Sequence, residues 1–125
     1  MKETCVSDYG CKVLKPLEML NKIELMGRLT ADPELRYTET QKPVAMFTLA
    51  VERDYSNGER QTDFVRCVIW NQGAEFVSRN FHKGKMMALT GRLQSRKWQD
   101  RDGDNRTDWE VNCENVYFCG DGKDR

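Results

Sequence analysis

The sequence predicts an all-β fold, a five-stranded barrel in Greek-key topology with one short helix between the third and fourth strands. Three observations support this prediction. Five segments have the residue patterns of strands, mostly with apolar and polar residues alternating at a period of two. One segment with helical spacing follows the third of them. Gly27 and Gly91 lie in the similar sequences at residues 26–29 and 90–93, where a glycine lets a long strand curve to close a barrel.

The first two strands are predicted from alternation. The first covers residues 22–30 and is ended by Asp32-Pro33; a short segment at residues 35–37 follows. The second covers residues 44–53, and the sequence Ser56-Asn57-Gly58-Glu59 after it is typical of a hairpin turn. The residues expected to face the core are Ile23, Leu25, Gly27 and Leu29 in the first strand, and Ala45, Phe47, Leu49 and Val51 in the second.

The third strand, residues 62–70, has two unlike faces. One face is plainly apolar, with Val65, Cys67 and Ile69. The other consists of Phe64, Arg66, Val68 and Trp70. Two interpretations fit this second face: it is buried under another layer, or it is a surface that stacks flat rings and neutralises phosphates between them. The strand by itself does not decide between them.

A short helix and two strands complete the domain. The helix is predicted at residues 73–81, where Ala74, Val77 and Phe81 have helical spacing, and Gly84 is where it is expected to stop. The fourth strand covers residues 85–98, a polar turn covers residues 100–106, and the fifth strand covers residues 109–118. In the fourth strand Met87, Leu89, Gly91 and Leu93 are expected inward, and Arg92, Gln94, Arg96 and Trp98 outward. Three strands, a helix and two strands is the order of an OB-fold barrel.

Composition limits the classes of protein that fit. The 125 residues suit one domain, and 20 cationic and 20 anionic side chains cancel, so any nucleic-acid binding must come from a local patch. Five cysteines without a Cys-x-x-Cys pair indicate reduced thiols rather than a disulfide framework or a zinc site. The sequence has no segment typical of a membrane span or a signal peptide, so we expect a cytoplasmic protein without membrane contact.

Catalytic chemistry finds little support in the sequence. The single histidine, His82, is expected to cap the helix rather than to act as a base. The acidic residues from Asp100 to Glu110 resemble a calcium loop, but the glycine is at the fourth position instead of the sixth, so we expect a hairpin tip. A nuclease would need these carboxylates to hold a divalent ion. We therefore expect no enzyme activity, no metal site and no cofactor.

Several blocks of the chain resemble bacterial single-stranded-DNA-binding proteins, over about residues 20–118. The blocks occur in the order and at the spacing of that family. They are residues 20–30 followed by Asp32-Pro33-Glu34-Leu35-Arg36-Tyr37, Phe47-Thr48-Leu49-Ala50-Val51, residues 62–64 through 68–70, Lys83-Gly84-Lys85, and Gly91-Arg92-Leu93 through Arg96-Lys97-Trp98.

The resemblance implies an OB-fold subunit, usually assembled as a homotetramer, that coats single-stranded DNA with little sequence preference during replication, recombination and repair. It also implies association with the bacterial nucleoid. The stacking aromatic residues of the family correspond to Tyr55, Phe64, Trp70 and Trp98. Each base has a π-face, so stacking on aromatic rings is tolerant of sequence. Trp109 is expected to brace the last hairpin rather than to contact DNA.

The expected phosphate contacts are cations on the same strands as the aromatic residues. Arg66 and Arg96 are favoured, because their parity places them between aromatic side chains. Gln94 shares their parity. Further candidates are Arg92 and Lys97 on the fourth strand, and Arg28, Arg36, Lys83 and Lys85 along the approach.

The two ends of the chain depart from the family pattern. Residues 1–18 are expected to be an extension outside the fold, residues 19–118 the DNA-binding domain, and residues 119–125 a short tail. The tail lacks the acidic, hydrophobic tip that recruits replication and repair proteins, which leaves such recruitment in question. Two alternatives remain open, an RNA-binding OB module and an assembly module that uses Phe64 and Trp70 as a subunit contact.

Overall fold

A computed structural model describes residues 19–54 and 58–120 of the chain. These residues form six strands and one helix: β1 (Ile23–Leu29), β2 (Glu34–Tyr37), β3 (Pro43–Glu52), β4 (Thr62–Trp70), α1 (Gln72–Asn80), β5 (Met86–Gln99) and β6 (Asn105–Phe118). The five predicted strands are β1, β3, β4, β5 and β6, so the predicted all-β OB-fold barrel is confirmed. Strand β2 is additional and corresponds to the short segment at residues 35–37.

Closure of the sheet makes the barrel. The strand order is β1-β5-β6-β4-β3-β2, and β1 also pairs with β3 through Arg28 and Leu29. All pairings are antiparallel except that of β4 with β6, which is parallel and short, at Cys67–Val111 and Val68–Asn112. Strand β2 lies outside the ring and pairs with β3 alone among the described strands. Closure leaves the five long strands without a free edge around the barrel body, which protects them from pairing with other chains.

The core consists of the inward residues of the barrel and one face of the helix. Burying a large aliphatic side chain contributes roughly 1.5–3 kcal/mol, so the alternation that fills this interior also drives closure. Val65 is half-buried, and Ile23, Leu25 and Val51 pack against the buried cluster. The buried cluster is Leu29, Ala45, Phe47, Leu49, Cys67, Ile69, Ala74, Val77, Phe81, Met87, Leu89, Val111 and Cys113.

The helix ends slightly earlier than predicted. Its C-cap residue is Phe81, which has extended backbone angles and donates its N–H to the Val77 carbonyl at 2.9 Å. His82 and Gly84 were expected at the helix end, but both lie in the following turn, where Gly84 has a φ of 87°. Helical residues among those described form only this nine-residue segment, which is too short to cross a membrane.

From residue 92 onward β5 pairs only with β6, and β6 pairs with β4 only at Val111 and Asn112, so residues 94–110 form a hairpin arm that extends from the barrel. Two predictions are wrong here for that reason. Leu93 was expected in the core, but it is exposed because the pairing of β1 with β5 ends at Gly91. Strand β6 was expected to begin at Trp109, but it begins at Asn105, since an arm with two solvated faces accommodates polar residues on both.

The hairpin tip predicted from the acidic sequence is confirmed as a tight turn. Asp100 Oδ1 accepts the backbone N–H groups of Asp102 and Asp104, each at 3.0 Å, and Oδ2 accepts Arg106 Nε at 2.9 Å. The Arg106 hydrogen bond and then these backbone amides lower the pKa of Asp100 below its ordinary value. The carboxylates of Asp100, Asp102 and Asp104 lie within 4.8 Å of one another. Both oxygens of Asp100, however, already accept hydrogen bonds from within the turn.

Two buried thiols lie side by side in the core. Cys67 of β4 and Cys113 of β6 are both buried and free. A hydrogen bond with Cys113, followed by burial, raises the pKa of the Cys67 thiol far above its ordinary value. A neutral thiol behaves as a small apolar group, which suits a packed interior. Cys5 and Cys11 lie outside the described residues.

Gly27 and Gly91 occupy the places where two backbones approach most closely. A β-carbon at Gly27 would collide with the Ala50 carbonyl of β3, at the pairing that closes the barrel. A β-carbon at Gly91 would collide with the Asn112 carbonyl of β6. Gly91 also borders a bulge, because Thr90 is opposite Asn115 whereas Gly91 is opposite Cys113. The predicted role of the two repeated glycines in closing the barrel therefore has a steric basis.

Replacing Gly91 by alanine should destabilise the protein by about 1–3 kcal/mol, because the new methyl group meets the backbone of β6, which cannot move aside without breaking pairs of the sheet. Urea unfolding followed by circular dichroism measures the loss. Gly120→Ala is the matched control, since nothing lies within 4 Å of a β-carbon there. An unfolding midpoint of Gly91→Ala equal to that of the control would contradict this account of closure.

Candidate nucleic-acid interface

The register of the sheet places the outward residues of β4, β6 and β5 on one continuous face. Cys67 and Val111 are paired and buried, so their neighbours Val68 and Asn112 point outward together. Along the β5–β6 pairing, Asn112, Glu110, Asp108 and Arg106 of β6 are opposite Arg92, Gln94, Arg96 and Trp98 of β5, and the last three of these pairs lie on the hairpin arm. We call this face the platform; its residues are Phe64, Arg66, Val68, Trp70, Arg92, Gln94, Arg96, Trp98, Arg106, Asp108, Glu110 and Asn112.

The exposed fractions of the aromatic side chains decide between the two interpretations of the second face of β4. Phe64 is 67% exposed, Trp70 is 40% exposed and Trp98 of β5 is 41% exposed, so no other layer of the described residues covers the second face of β4. Val68 between them is buried and forms part of the floor. Aromatic rings that are exposed to solvent, on a strand whose other face is buried, are available for stacking.

The three aromatic side chains are spread along the platform. Phe64 and Trp70 are six residues apart on β4, which corresponds to roughly 20 Å along the strand. Trp98 lies on β5, two strands across from β4, on the side of Phe64. The indole of Trp98 is held at one edge, because its Nε1 donates to Asp108 Oδ2 at 3.0 Å. The platform can therefore contact several bases of an extended strand at separate points.

The two favoured arginines are brought together, but each faces a carboxylate. Asp108 Oδ2 lies 3.5 Å from Arg66 Nη1 and 3.4 Å from Arg96 Nη2. Glu110 Oε1 lies 3.6 Å from Arg96 Nε. Sequence parity placed Arg66 and Arg96 between aromatic residues, and the structure adds that both are engaged in ion pairs within the platform.

Arg92 is the platform cation without such a partner. It is opposite Asn112 and exposed, and within residues 19–54 and 58–120 no carboxylate pairs with it. Gln94 is beside it on the outward face, where its amide donates to Glu110 at 3.3 Å and accepts from Asn112 at 3.3 Å. The charge of Arg92 is therefore available to a phosphate. Gln94 holds the side chains of Glu110 and Asn112 in place through these two hydrogen bonds.

Some predicted site residues lie around the platform rather than on it. Arg36 of β2 is opposite Val44, which is opposite Trp70, and it pairs with Glu34. Arg28 of β1 donates to the Gly84 carbonyl at 2.9 Å. Lys85 places its ammonium 5.5 Å from the centre of the Phe118 ring, at the helix end of the barrel.

Lys97 is on the other face of the hairpin arm. Its cross-strand partner is Thr107, and Trp109 is opposite Ser95 on this same face, away from Arg96 and Trp98. Trp109 is 60% exposed, so the expected bracing of the hairpin involves only a small partner and leaves most of the indole in solvent. The arm thus presents an aromatic residue on each side.

Tyr55 lies outside the described residues, but the base of its loop is well defined. Arg53 donates from Nε to Asp63 Oδ2 and from Nη2 to Asp63 Oδ1, both at 2.9 Å. This bidentate arrangement is geometrically specific, and the hydrogen bond from Arg53 lowers the pKa of Asp63. The backbone N–H of Arg53 also donates to the Gln61 carbonyl at 2.9 Å. These contacts join the residue after β3 to the start of β4, next to Phe64.

Sequence reasoning missed Asp108, Glu110 and Asn112. Asp108 and Glu110 were interpreted as part of an acidic hairpin tip and Asn112 only as part of the fifth strand, yet all three share the outward parity of β6, on the face opposite the core residues Val111 and Cys113. A period of two along β6, counted from Asn105, places all three residues on the outward face of the strand.

A shallow groove of about 270 Å³ borders the platform. Its lining includes Met46, Thr48, Arg66 and Glu110, together with residues 30–32 and Glu34 of β2. Its position continues the platform toward β2.

Comparison with known proteins gives a consistent result. Residues 20–119 match the Single-strand binding protein family. A "Single-stranded DNA-binding protein" of Caldanaerobacter subterraneus subsp. tengcongensis is 47% identical over 102 residues, covering 80% of this chain and 68% of that protein. "Single-stranded DNA-binding protein 2" of Listeria monocytogenes and "Single-stranded DNA-binding protein A" of Bacillus subtilis are each 47% identical over 80% of this chain.

The chain matches 64% of the length of the Listeria protein and 59% of that of the Bacillus protein. The family match covers the whole barrel, including the hairpin arm and every platform residue. With this match over most of its length, the chain belongs to the single-strand binding protein family.

Proposed function

We propose that the chain binds single-stranded DNA with little sequence preference, and that it coats and protects such DNA in replication, recombination and repair. The observation that carries the proposal is the register of β4, β6 and β5, which places Phe64, Trp70 and Trp98 with exposed rings on one face together with arginines. Relatives at 47% identity carry the name of single-stranded DNA-binding proteins. The family consists of DNA-binding proteins rather than enzymes.

Stacking explains binding without sequence preference. Each base has a π-face, and stacking on an aromatic side chain contributes about 1–3 kcal/mol per base whatever the base. Phe64, Trp70 and Trp98 supply three such contacts, and Tyr55 is proposed as a fourth from the loop beside Phe64.

Phosphate neutralisation supplies the remaining affinity. Arg92 is proposed as the principal cation because it faces no carboxylate among the described residues, with Arg66 and Arg96 contributing once they exchange their carboxylate partners for phosphates. Arg28, Arg36, Lys85 and Lys97 are proposed to line the path of the strand beyond the platform. The proposed DNA-binding domain covers residues 19–118, and the proposed location is the bacterial cytoplasm, on nucleoid DNA.

We also propose that the barrel assembles as a homotetramer. An outward row away from the platform supports this: Met26 of β1 is opposite Ala88 of β5, which is opposite Tyr117 of β6. Met26 and Tyr117 are exposed apolar side chains in the isolated subunit. Clustered exposed apolar side chains are typical of surfaces that become buried in an assembly.

Replacing Trp98 by alanine should weaken binding to oligo-dT by about 1–3 kcal/mol, roughly five- to 150-fold in Kd, because one stacking surface is lost. Fluorescence anisotropy of a labelled oligonucleotide measures this change. Trp109→Ala is the matched control, since Trp109 is on the same arm but on its other face. Equal losses in the two variants, or no loss in Trp98→Ala, would contradict the assignment of the platform.

Replacing Arg92 by glutamine should reduce the salt dependence of binding. The slope of log affinity against log salt on single strands changes by about 0.7 per phosphate contact, so the variant should lose about that amount. Arg79→Gln on helix α1, outside the platform, is the control. A slope unchanged by Arg92→Gln, or changed equally by Arg79→Gln, would remove Arg92 from the phosphate contacts.

The assembly has its own test in sedimentation velocity. We expect a tetramer mass for the wild-type protein and a smaller species for Met26→Lys. Burial of an unpaired lysine charge in a contact between subunits is energetically unfavourable. A monomer mass for the wild-type protein would overturn the proposed tetramer and would leave the platform unaffected.

A further inference from the structure

Asp108 occupies the centre of the hairpin-arm half of the platform, and a single oxygen of its carboxylate meets three donors. Oδ2 accepts Trp98 Nε1 at 3.0 Å, and it lies 3.4 Å from Arg96 Nη2 and 3.5 Å from Arg66 Nη1. These three donors belong to the residues proposed to stack on bases and to contact phosphates. A carboxylate inside a DNA-binding surface is unexpected, because it repels the phosphates that the surface must attract.

The charges at this place cancel. Arg66 and Arg96 face Asp108 and Glu110, so two cations are matched by two anions. Glu110 is 15% exposed at its side chain and also accepts from Gln94, whereas Asp108 is 31% exposed. Asp108 is therefore the carboxylate that an approaching phosphate meets first.

The ion pairs of Asp108 are of a kind that can be exchanged. The side chains of Arg66 and Arg96 are 55% and 47% exposed, and an ion pair at such a position changes an equilibrium by no more than about fivefold. The contact to Trp98 is shorter and requires an oxygen acceptor but no charge. Asp108 thus has two separable effects, orientation of the indole and occupation of the two guanidinium groups.

We propose that Asp108 is an affinity-determining residue of the platform, whose charge competes with DNA phosphates for Arg66 and Arg96. Binding exchanges the carboxylate for a phosphate at each guanidinium group. The binding free energy from the phosphate contacts is therefore reduced by the loss of the ion pairs with Asp108. The consequence is weaker binding and a shallower salt dependence than Arg66, Arg92 and Arg96 would give without the Asp108 charge. This inference rests on the proposed function of the platform.

The decisive variant is Asp108→Asn, which has nearly the same shape and keeps an oxygen acceptor for Trp98 while removing the charge. It should bind oligo-dT more tightly at low salt, by up to roughly fivefold, because the Arg66 guanidinium group loses its carboxylate partner. Its salt slope should become steeper by about 0.7, because Arg66 loses its carboxylate partner whereas Arg96 still faces Glu110. Fluorescence anisotropy across a salt series measures both quantities.

Two controls separate this competition from simpler explanations. Asp102→Asn removes the same charge from the hairpin tip, where no arginine pairs with the carboxylate within the described part of the chain, and it should change affinity little. In a background of Arg66→Gln and Arg96→Gln, the gain from Asp108→Asn should disappear. Glu110→Gln provides a second variant, with a smaller gain because Glu110 pairs with Arg96 alone among the described arginines.

The outcomes distinguish this inference from the proposed function. If wild-type protein does not bind oligo-dT, the proposed function is overturned and the inference with it. If the wild-type protein binds but Asp108→Asn binds equally or more weakly, with an unchanged thermal midpoint, Asp108 only positions Trp98 and the competition is overturned. An equal gain in Asp102→Asn, or a gain that persists without the two arginines, would also overturn it.

Discussion

The short parallel pairing of β4 with β6 is the constraint on which the rest of the structure depends. It consists of Cys67–Val111 and Val68–Asn112, and it fixes which residues of β6 face outward beside β4. A shift of one residue would turn Asp108 and Glu110 inward and bring Trp109 onto the platform. Core packing prevents that shift, since Cys67, Val111 and Cys113 fill the interior at this point. The platform is therefore a consequence of burial on the opposite face of the same strands.

The barrel and the hairpin arm have different physical characters. In the barrel body, closure at Gly27 and burial of aliphatic side chains determine the arrangement of the backbone. In the arm, both faces are solvated and the side chains are arranged by hydrogen bonds and ion pairs instead, with Asp108 at their centre. Side chains that are held by exchangeable contacts suit a surface that must bind DNA and release it again.

Alternation and turn chemistry predicted the barrel well, because five strands each have one buried face. The outward parity of Phe64, Arg66, Trp70, Arg96 and Trp98 was likewise readable from the sequence. The start of β6 and the exposure of Leu93 could not be predicted in this way, since both depend on where β1 stops pairing with β5. The pairing of Arg66 and Arg96 with Asp108 needs the register between β4 and β6, which no local pattern contains.

The central claim is that one face of the arm binds DNA and the other does not, and the three tryptophans of the chain report on both. Nuclear magnetic resonance of the indole N–H groups during titration with oligo-dT tests it most directly. The account predicts large shifts for Trp98, whose N–H meets Asp108, and for Trp70, with Trp109 nearly unmoved. A large shift of Trp109 with Trp98 unchanged would contradict it.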